Sequence, residues 1–428
     1  MISLATCLIA LATLSSALPH RVRDNGLQTS SKPTWVEKYG PQFDLAYSGP
    51  LSFAHLPYAK CLEATNASRP FDIAILGVPF DSAVSYRPGA RFGPYGIRSG
   101  SRRISPGLGY TTAWGHNNHT QQLGYSPYEQ DTSIMDCGDV PAIPFDTRYA
   151  VDQIDTAYST LIDRPVANRT NFGAEITKNA AKDRKPHPRV VTLGGDHSIV
   201  LPILRALHSV YGEIAVIHFD SHLDTWPIQG FYGVTENTTI THGTMFWTAM
   251  KEGLIAKGRS IHAGIRCMMT GYRDIQHDEQ VGFSVITTDD IEELGTEGIV
   301  RIIKRRVGDK PVYLSLDIDV VDPALAPATG TPEPGGWTTR EVKHILRGLT
   351  GMNIIGADVV EVAPAYDSNG ETPRPLMVLQ KLMPIPNTAA ESTTIVAAGI
   401  VHDLLSVLIG KKPSSENHDH LGRRRRQL

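Results

Sequence analysis

Three short apolar segments of the chain run into side chains that can hold metals and move protons. Val190–Leu193 leads into Gly194-Gly195-Asp196-His197, Ile214–Phe219 into Asp220-Ser221-His222-Leu223-Asp224, and Val312–Leu316 into Asp317-Ile318-Asp319. In the last two segments the polar residues recur at every second position, which on an extended backbone places them on one face. The ligand set is His197, Asp220, His222, Asp224, Asp317 and Asp319, more than one tetrahedral zinc requires. Four crowded carboxylates repel and raise each other's pKa unless cations lie among them. Carboxylates mixed with imidazoles suit Mn2+ or another borderline-hard ion. The number of ligands predicts two ions roughly 3.5 Å apart that share an activated hydroxide. Any one Asp alone would be read as a turn former or helix cap. The coincidence at three strand ends points to a site.

The elements that must position these residues are β-branched runs alternating with longer helical patterns. Strands are predicted at Asp72–Leu76, Val190–Leu193, Ile214–Phe219, Ser260–Ile265, Val312–Leu316 and Ile354–Val359. Helices are predicted at Tyr149–Ile162, Ser198–Val210, Thr338–Leu349 and Ala389–Leu408. Near-continuous apolar strands separated by helices predict an α/β fold with a mainly parallel sheet covered on both faces. In such sheets chemistry collects beyond the carboxyl ends of the strands, where the three clusters fall. Gly109–Tyr128 and Arg164–Pro188 are polar and read as surface excursions. No repeat or Pro/Ser linker divides the body, so one domain is expected over residues 36–410.

The chain has 428 residues and a formal charge of −3, with 41% hydrophobic and 20% charged residues. This balance excludes wholesale disorder and a broad nucleic-acid-binding face. The tail, residues 411–428, carries Arg423–Arg426 and reads as disordered; without those four arginines the body is near −7. At the other end, the apolar run Ile2–Leu14 is too short to span a bilayer, so no membrane role is expected. Ser15-Ser16-Ala17 follows it, and residues 1–17 read as a secretory signal, with an extension at 18–35. Four sequons, at Asn66, Asn118, Asn168 and Asn237, fit an exported protein. Removal of the signal would leave Cys61, Cys137 and Cys267. At most one pair can form among three, and the simplest expectation is buried free thiols.

GGDHS at Gly194–Ser198, FDSHLDT at Phe219–Thr225 and SLDIDVVDPALAPATGTPEPGG at Ser315–Gly336 resemble the ureohydrolases, the arginase/agmatinase family. The resemblance runs from about Phe71 to about Leu408. It implies a three-layer α/β/α sandwich around an eight-stranded sheet and a pair of Mn2+ ions. His197, Asp220, Asp224 and Asp317 would then hold one ion; His222, Asp220, Asp317 and Asp319 would hold the other. Ser221 stands where the family usually has Ala.

Three features resemble agmatinases more than arginases: GVPFDSAVSYRPGARFGPYGIR at Gly77–Arg98, THGTMF at Thr241–Phe246 and the Glu-Pro within TGTPEPGG. Arg87 and Arg91 in the first either brace their loop or touch substrate. The resemblance makes His242 a general acid or proton shuttle, Glu361 the partner of the substrate guanidinium, and Asp224 a hydrogen-bond acceptor for the nucleophile. The product would be urea, with putrescine if the substrate is agmatine. TWPIQGFYGVTENTTI, after Asp224, would line the entrance, with Asn237 unglycosylated or pointing outward. Agmatine ranks first and 4-guanidinobutyrate second, ahead of guanidinopropionate and arginine. A catalytically silent, secreted metal-binding relative is the reading from another class, and a deacetylase suits the motifs less well. The resemblance also implies a homo-oligomer, a trimer or hexamer.

Overall fold

Eight strands carry the fold: β1 Ile73–Gly77, β2 Ile134–Asp139, β3 Arg189–Leu193, β4 Ala215–Phe219, β5 Ile261–Ile265, β6 Val285–Thr287, β7 Val312–Asp317 and β8 Ile354–Val360. They form one all-parallel sheet in the order β2-β1-β3-β8-β7-β4-β5-β6. This computed structural model describes residues 32–40, 42, 51–63, 69–104, 126–129, 132–168, 180–228, 240–367 and 391–410. Pro33–Leu428 falls in one compact unit. The predicted signal, most of the extension, the basic tail and Asn66, Asn118 and Asn237 lie outside the described residues.

The predicted strands and helices appear within a few residues of their expected limits. One face of the sheet is covered by α2 (Gly93–Gly100), α7 (Asp290–Val307), α8 (Thr339–Gly348) and α9 (Ser392–Ile409). The other is covered by α3 (Thr147–Ile162), α4 (Val200–Tyr211) and α5 (Met245–Lys251), with α1 (Trp35–Tyr39) and α6 (Tyr272–Val281) at its margins. The three-layer sandwich therefore stands. Burying one Ile, Leu or Phe side chain contributes about 1.5–3 kcal/mol, which is why the apolar strands need cover on both faces. α9 is apolar and long enough to cross a membrane, but 83% of it is buried in the fold, so it is a core helix.

Two strands escaped the sequence reading. β2, IMDCGD, holds two aspartates and a glycine, and its charge is satisfied by Arg98 from α2. The guanidinium donates from Nε to Asp136 at 2.9 Å and from Nη1 to Asp139 at 2.5 Å. β6 is a three-residue edge strand with no length to signal itself. The free-thiol expectation also fails: Cys61 and Cys137 form a disulfide across 76 residues, with Cα atoms 5.0 Å apart. The cause is a long-range pairing in which Tyr58 bridges to Asp136, bringing the segment before Cys61 alongside β2. Cys267 alone remains a buried free thiol among the described residues. Of the two predicted surface excursions only the flanks are described, and they are partly buried: Ser126, Val166, Ala181 and His187 all pack inside.

Candidate active site

The four central strands, β3, β8, β7 and β4, end level with one another. Leu193 pairs with Val359, Asp317 with Val360 and Leu316 with Phe219. Whatever follows each strand therefore meets at one rim. His197 follows β3 and begins a short 3-10 turn capped by Asp196, whose carboxylate accepts from Ser198 N at 3.0 Å. Asp220 follows β4, Asp317 closes β7 and Glu361 follows β8. The turn after β3 needs glycine: a Cβ on Gly195 would lie 1.8 Å from the Phe80 carbonyl oxygen.

All six predicted ligands converge. His197 Nδ1 lies 3.0 Å from Asp220 Oδ2, 3.1 Å from Asp224 Oδ2 and 3.5 Å from Asp317 Oδ2. His222 Nδ1 lies 3.3 Å from Asp220 Oδ1 and 3.1 Å from Asp319 Oδ2. Asp220 thus faces both histidines with different oxygens. Two groups of potential ligands result, His197–His218–Asp220–Asp224 and Asp220–His222–Asp319, with Asp317 beside the first.

The route to this geometry differs from the one predicted. The ligands are not spaced along extended strands. Asp220 curls back to accept from His222 N at 2.6 Å, and Asp317 from Asp319 N at 2.8 Å, so each pair shares a tight turn. Asp224 has φ +56° and Glu361 φ +59°, a left-handed conformation that costs a non-glycine residue on the order of 1 kcal/mol or more. Both strained residues lie at the rim.

The site also holds supports that the sequence did not reveal. His197 Nε2 is 2.8 Å from Ser315 Oγ, which donates to Asp358 Oδ1 at 2.9 Å. Asp358 also accepts from Tyr313 OH at 2.7 Å. With Nε2–H engaged in this way, His197 turns its lone pair at Nδ1 toward the carboxylates. Ser221, in place of the family's usual Ala, donates from its N–H and Oγ to Asp319 Oδ1 at 3.0 and 2.8 Å. His218, inside the ligand group, carried no sequence signal beyond its place in an apolar strand.

The electrostatics call for added positive charge. Burial and then repulsion from Asp319 and Asp220 hold the Asp317 carboxyl well above its usual range. Burial and Asp220 also raise Asp319 and Asp224. Burial would lower the His197 pKa, but Asp220, Asp224 and Asp317 outweigh it and raise it strongly. His197 Nδ1 and Asp220 Oδ2 are buried without a hydrogen bond, 3.0 Å apart. Lone pairs aimed at a common point among crowded carboxylates suit divalent cations, so the residues present fit a pair of metal ions.

Beside the Asp/His cluster, Glu361 Oε1 accepts from His197 N at 2.9 Å and lies 3.1 Å from His242 Nδ1. Its other oxygen has no hydrogen-bond partner among the described residues. A Cβ on Gly330 would come within 3.7 Å of that oxygen, so glycine keeps the approach open. His242 Nε2 lies 3.0 Å from Ser85 N and 2.7 Å from Ser85 Oγ. Burial works against its charge, but Glu361, with Asp224 and Asp196, outweighs it and lifts the pKa to about 9. Arg91 donates to Asp81 Oδ1 at 2.5 Å and so braces its loop. Arg87 places its guanidinium between the Tyr86 and Tyr366 rings, 4.9 and 5.5 Å from their centroids. Most of the predicted entrance segment, 229–239, is outside the described residues.

The comparisons agree with this arrangement. The Arginase family model matches residues 71–405. "Putative agmatinase 1" of Schizosaccharomyces pombe is 44% identical over 369 residues, 86% of this chain and 84% of that protein. The agmatinase of Chromobacterium violaceum is 34% identical over 87% of this chain and 93% of its own. Among solved structures, the proclavaminate amidino hydrolase of Streptomyces clavuligerus superposes with a TM-score of 0.63 at 32% identity, covering 85% of this chain and 98% of that one. With the strand order, the Asp/His cluster and these relatives in agreement, the chain belongs to the arginase family of metal-dependent hydrolases that act on guanidino C–N bonds.

Proposed function

We propose that the protein hydrolyses agmatine to urea and putrescine with a pair of Mn2+ ions held by His197, Asp220, His222, Asp224, Asp317 and Asp319. The observation that carries this reading is the carboxylate of Glu361, anchored through one oxygen to His197 N–H and open through the other. A carboxylate with a free edge is the partner a planar guanidinium donor needs. The similarity to relatives named agmatinases supports agmatine as the substrate.

Bound metal ions would supply Lewis acidity and lower the pKa of a shared water. The chain's own residues do the rest. Glu361 orients the guanidinium so that its carbon faces the ligand cluster. Asp224 accepts a hydrogen bond from the attacking oxygen. His242, largely protonated at neutral pH, gives the proton that lets the amine leave. Ser85 serves both protonation states of His242: its N–H donates to a bare Nε2, and its hydroxyl accepts from a protonated one.

A second substrate, 4-guanidinobutyrate, is favoured by Arg87. Its carbonyl oxygen sits 2.8 Å from where a Gly330 Cβ would be, a point 3.7 Å from Glu361 Oε2, and its guanidinium rests against the Tyr366 ring. A cation there would suit a carboxylate tail better than an amine. Urea release from agmatine, 4-guanidinobutyrate, guanidinopropionate and arginine, with and without Mn2+, tests both readings. Agmatine should give the highest kcat/KM. No urea from any of them would leave the silent metal-binding relative as the better reading.

The same reading includes export with use of some sequons, and assembly as a homo-oligomer, a trimer or hexamer. The Cys61–Cys137 disulfide supports export, because such bonds persist in oxidising compartments. N-terminal sequencing of protein recovered from medium, and light scattering of the purified chain, test these two points.

A further inference from the structure

Behind the ligand cluster lies a buried run of polar side chains with no part in the roles above. His218 stands on β4 two residues before Asp220, with Nε2 2.9 Å from Asp220 Oδ2. Its Nδ1 lies 2.7 Å from Nδ1 of His262 on β5. His262 Nε2 in turn lies 2.9 Å from Asp278 Oδ1 on α6, an oxygen that also accepts from Thr225 Oγ1 at 2.7 Å. His218, His262 and Asp278 are each 0% exposed. His262 stacks on Phe283 with centroids 4.1 Å apart, and Phe246 packs edge-on to His218 at 4.8 Å. Aromatic rings wall the run.

Hydrogen-bond chemistry gives the run a direction. An ionised Asp278 can only accept, so His262 donates from Nε2. His262 Nδ1 then accepts from His218 Nδ1–H, which leaves His218 Nε2 as a lone pair beside Asp220 Oδ2. Neither of those two atoms makes a hydrogen bond, although both are buried. Two electron-rich atoms 2.9 Å apart are tolerable only beside a cation.

We propose that Asp278, His262 and His218 form a positioning relay, reaching the centre from α6, that fixes Asp220 and turns a proton-free edge toward the bound cation. The proposal rests on the reading of the cluster as a metal centre. Break the relay at His262 and His218 is free to reverse its tautomer. It then donates Nε2–H to Asp220, satisfying the metal-free form and competing with the metal. Partners of this kind are typically worth 10- to 100-fold in metal affinity.

The test is Mn2+ binding to the metal-stripped full chain, followed by the EPR signal of free Mn2+, for wild type, His262→Phe and Asp278→Asn. Phe keeps the stack on Phe283 and removes both ring nitrogens. His262→Phe should weaken one of two binding steps by about 10- to 100-fold and leave KM at saturating Mn2+ unchanged. Asp278→Asn keeps an acceptor for His262 and should have a smaller effect of the same sign. Wild-type binding with affinities unchanged in His262→Phe would overturn the relay alone. A wild type that takes up no Mn2+ would overturn the metal centre, and the relay with it. If His262→Phe does not fold, Asp278→Asn decides by itself, with unchanged affinity refuting the relay.

Discussion

Asp317→Asn separates what a carboxylate does for the metal centre from what it costs the fold. Asp317 Oδ1 accepts from Asp319 N at 2.8 Å and caps the turn that follows β7. Asn caps about as well as Asp, so this local structure should survive. The other oxygen, 3.5 Å from His197 Nδ1, becomes an amide NH2, a donor where the centre needs an acceptor. One unit charge is lost beside each cation, and at about 4 Å with an effective dielectric near 20 a unit-charge attraction is about 4 kcal/mol. A loss of that size weakens metal binding by about a thousandfold. In the metal-free protein the sign reverses. There Asp317 is a buried carboxyl pressed by Asp319 and Asp220, so neutralising it should raise the melting temperature, by about 1 °C per kcal/mol relieved for a chain of this size. Metal analysis after dialysis, with melting curves in EDTA and in excess Mn2+, reads both effects. A variant that keeps two ions per chain and wild-type urea release would refute Asp317 as a ligand. A metal-free form that melts lower than wild type would refute the electrostatic account.

Activity should hold below about pH 9 and fall above it as His242 loses its proton, and the alkaline limb should vanish in His242→Asn. A raised folded pKa means that the His242–Glu361 pair also stabilises fully below about pH 6.5 and loses that contribution as pH climbs through about 9. His402 on α9 works the other way: burial, then Lys343 and Arg347, depress it to about 3. Its neutral form stabilises above pH 6.5, and at pH 5 the folded protein should already have lost about 2 kcal/mol. Urea melts of wild type and His402→Gln at pH 7 and 5 should show the variant losing less. Reducing Cys61–Cys137 should cost about 4 kcal/mol by the loop-entropy account, with a lower urea midpoint in dithiothreitol as the readout. Thiol counting on unreduced, unfolded protein should find Cys267 alone if the leader has been cleaved, and Cys7 as well if it has not.

The residues whose chemistry could be read in the sequence were those placed by local rules. A strand runs into a polar cluster, the sheet is parallel, and its carboxyl ends gather on one rim. His197, Asp220, His222, Asp224, Asp317 and Asp319 follow from that logic, whereas Glu361, at the end of another strand, took its role from the family resemblance. The logic erred on detail: an alternating face was expected, whereas each acidic residue curls onto a nearby N–H. What stayed hidden depends on partners far away in sequence. β2 looks too acidic for a buried strand until Arg98 is placed against it, and Cys137 looks free until Tyr58 bridges to Asp136. Asp358 and His218 sit in apolar strands where nothing marks them, and only the meeting of Ser315 with His197, or of His262 with Asp278, gives them a task. Asp224 and Glu361 join the two cases. The sequence marks them as chemical, and the structure shows that they are held in a left-handed backbone that neither residue favours. That strain fits residues selected for where they place a carboxylate. The ligands are written locally, whereas the supports that aim them are written in pairs that only the folded sheet brings together.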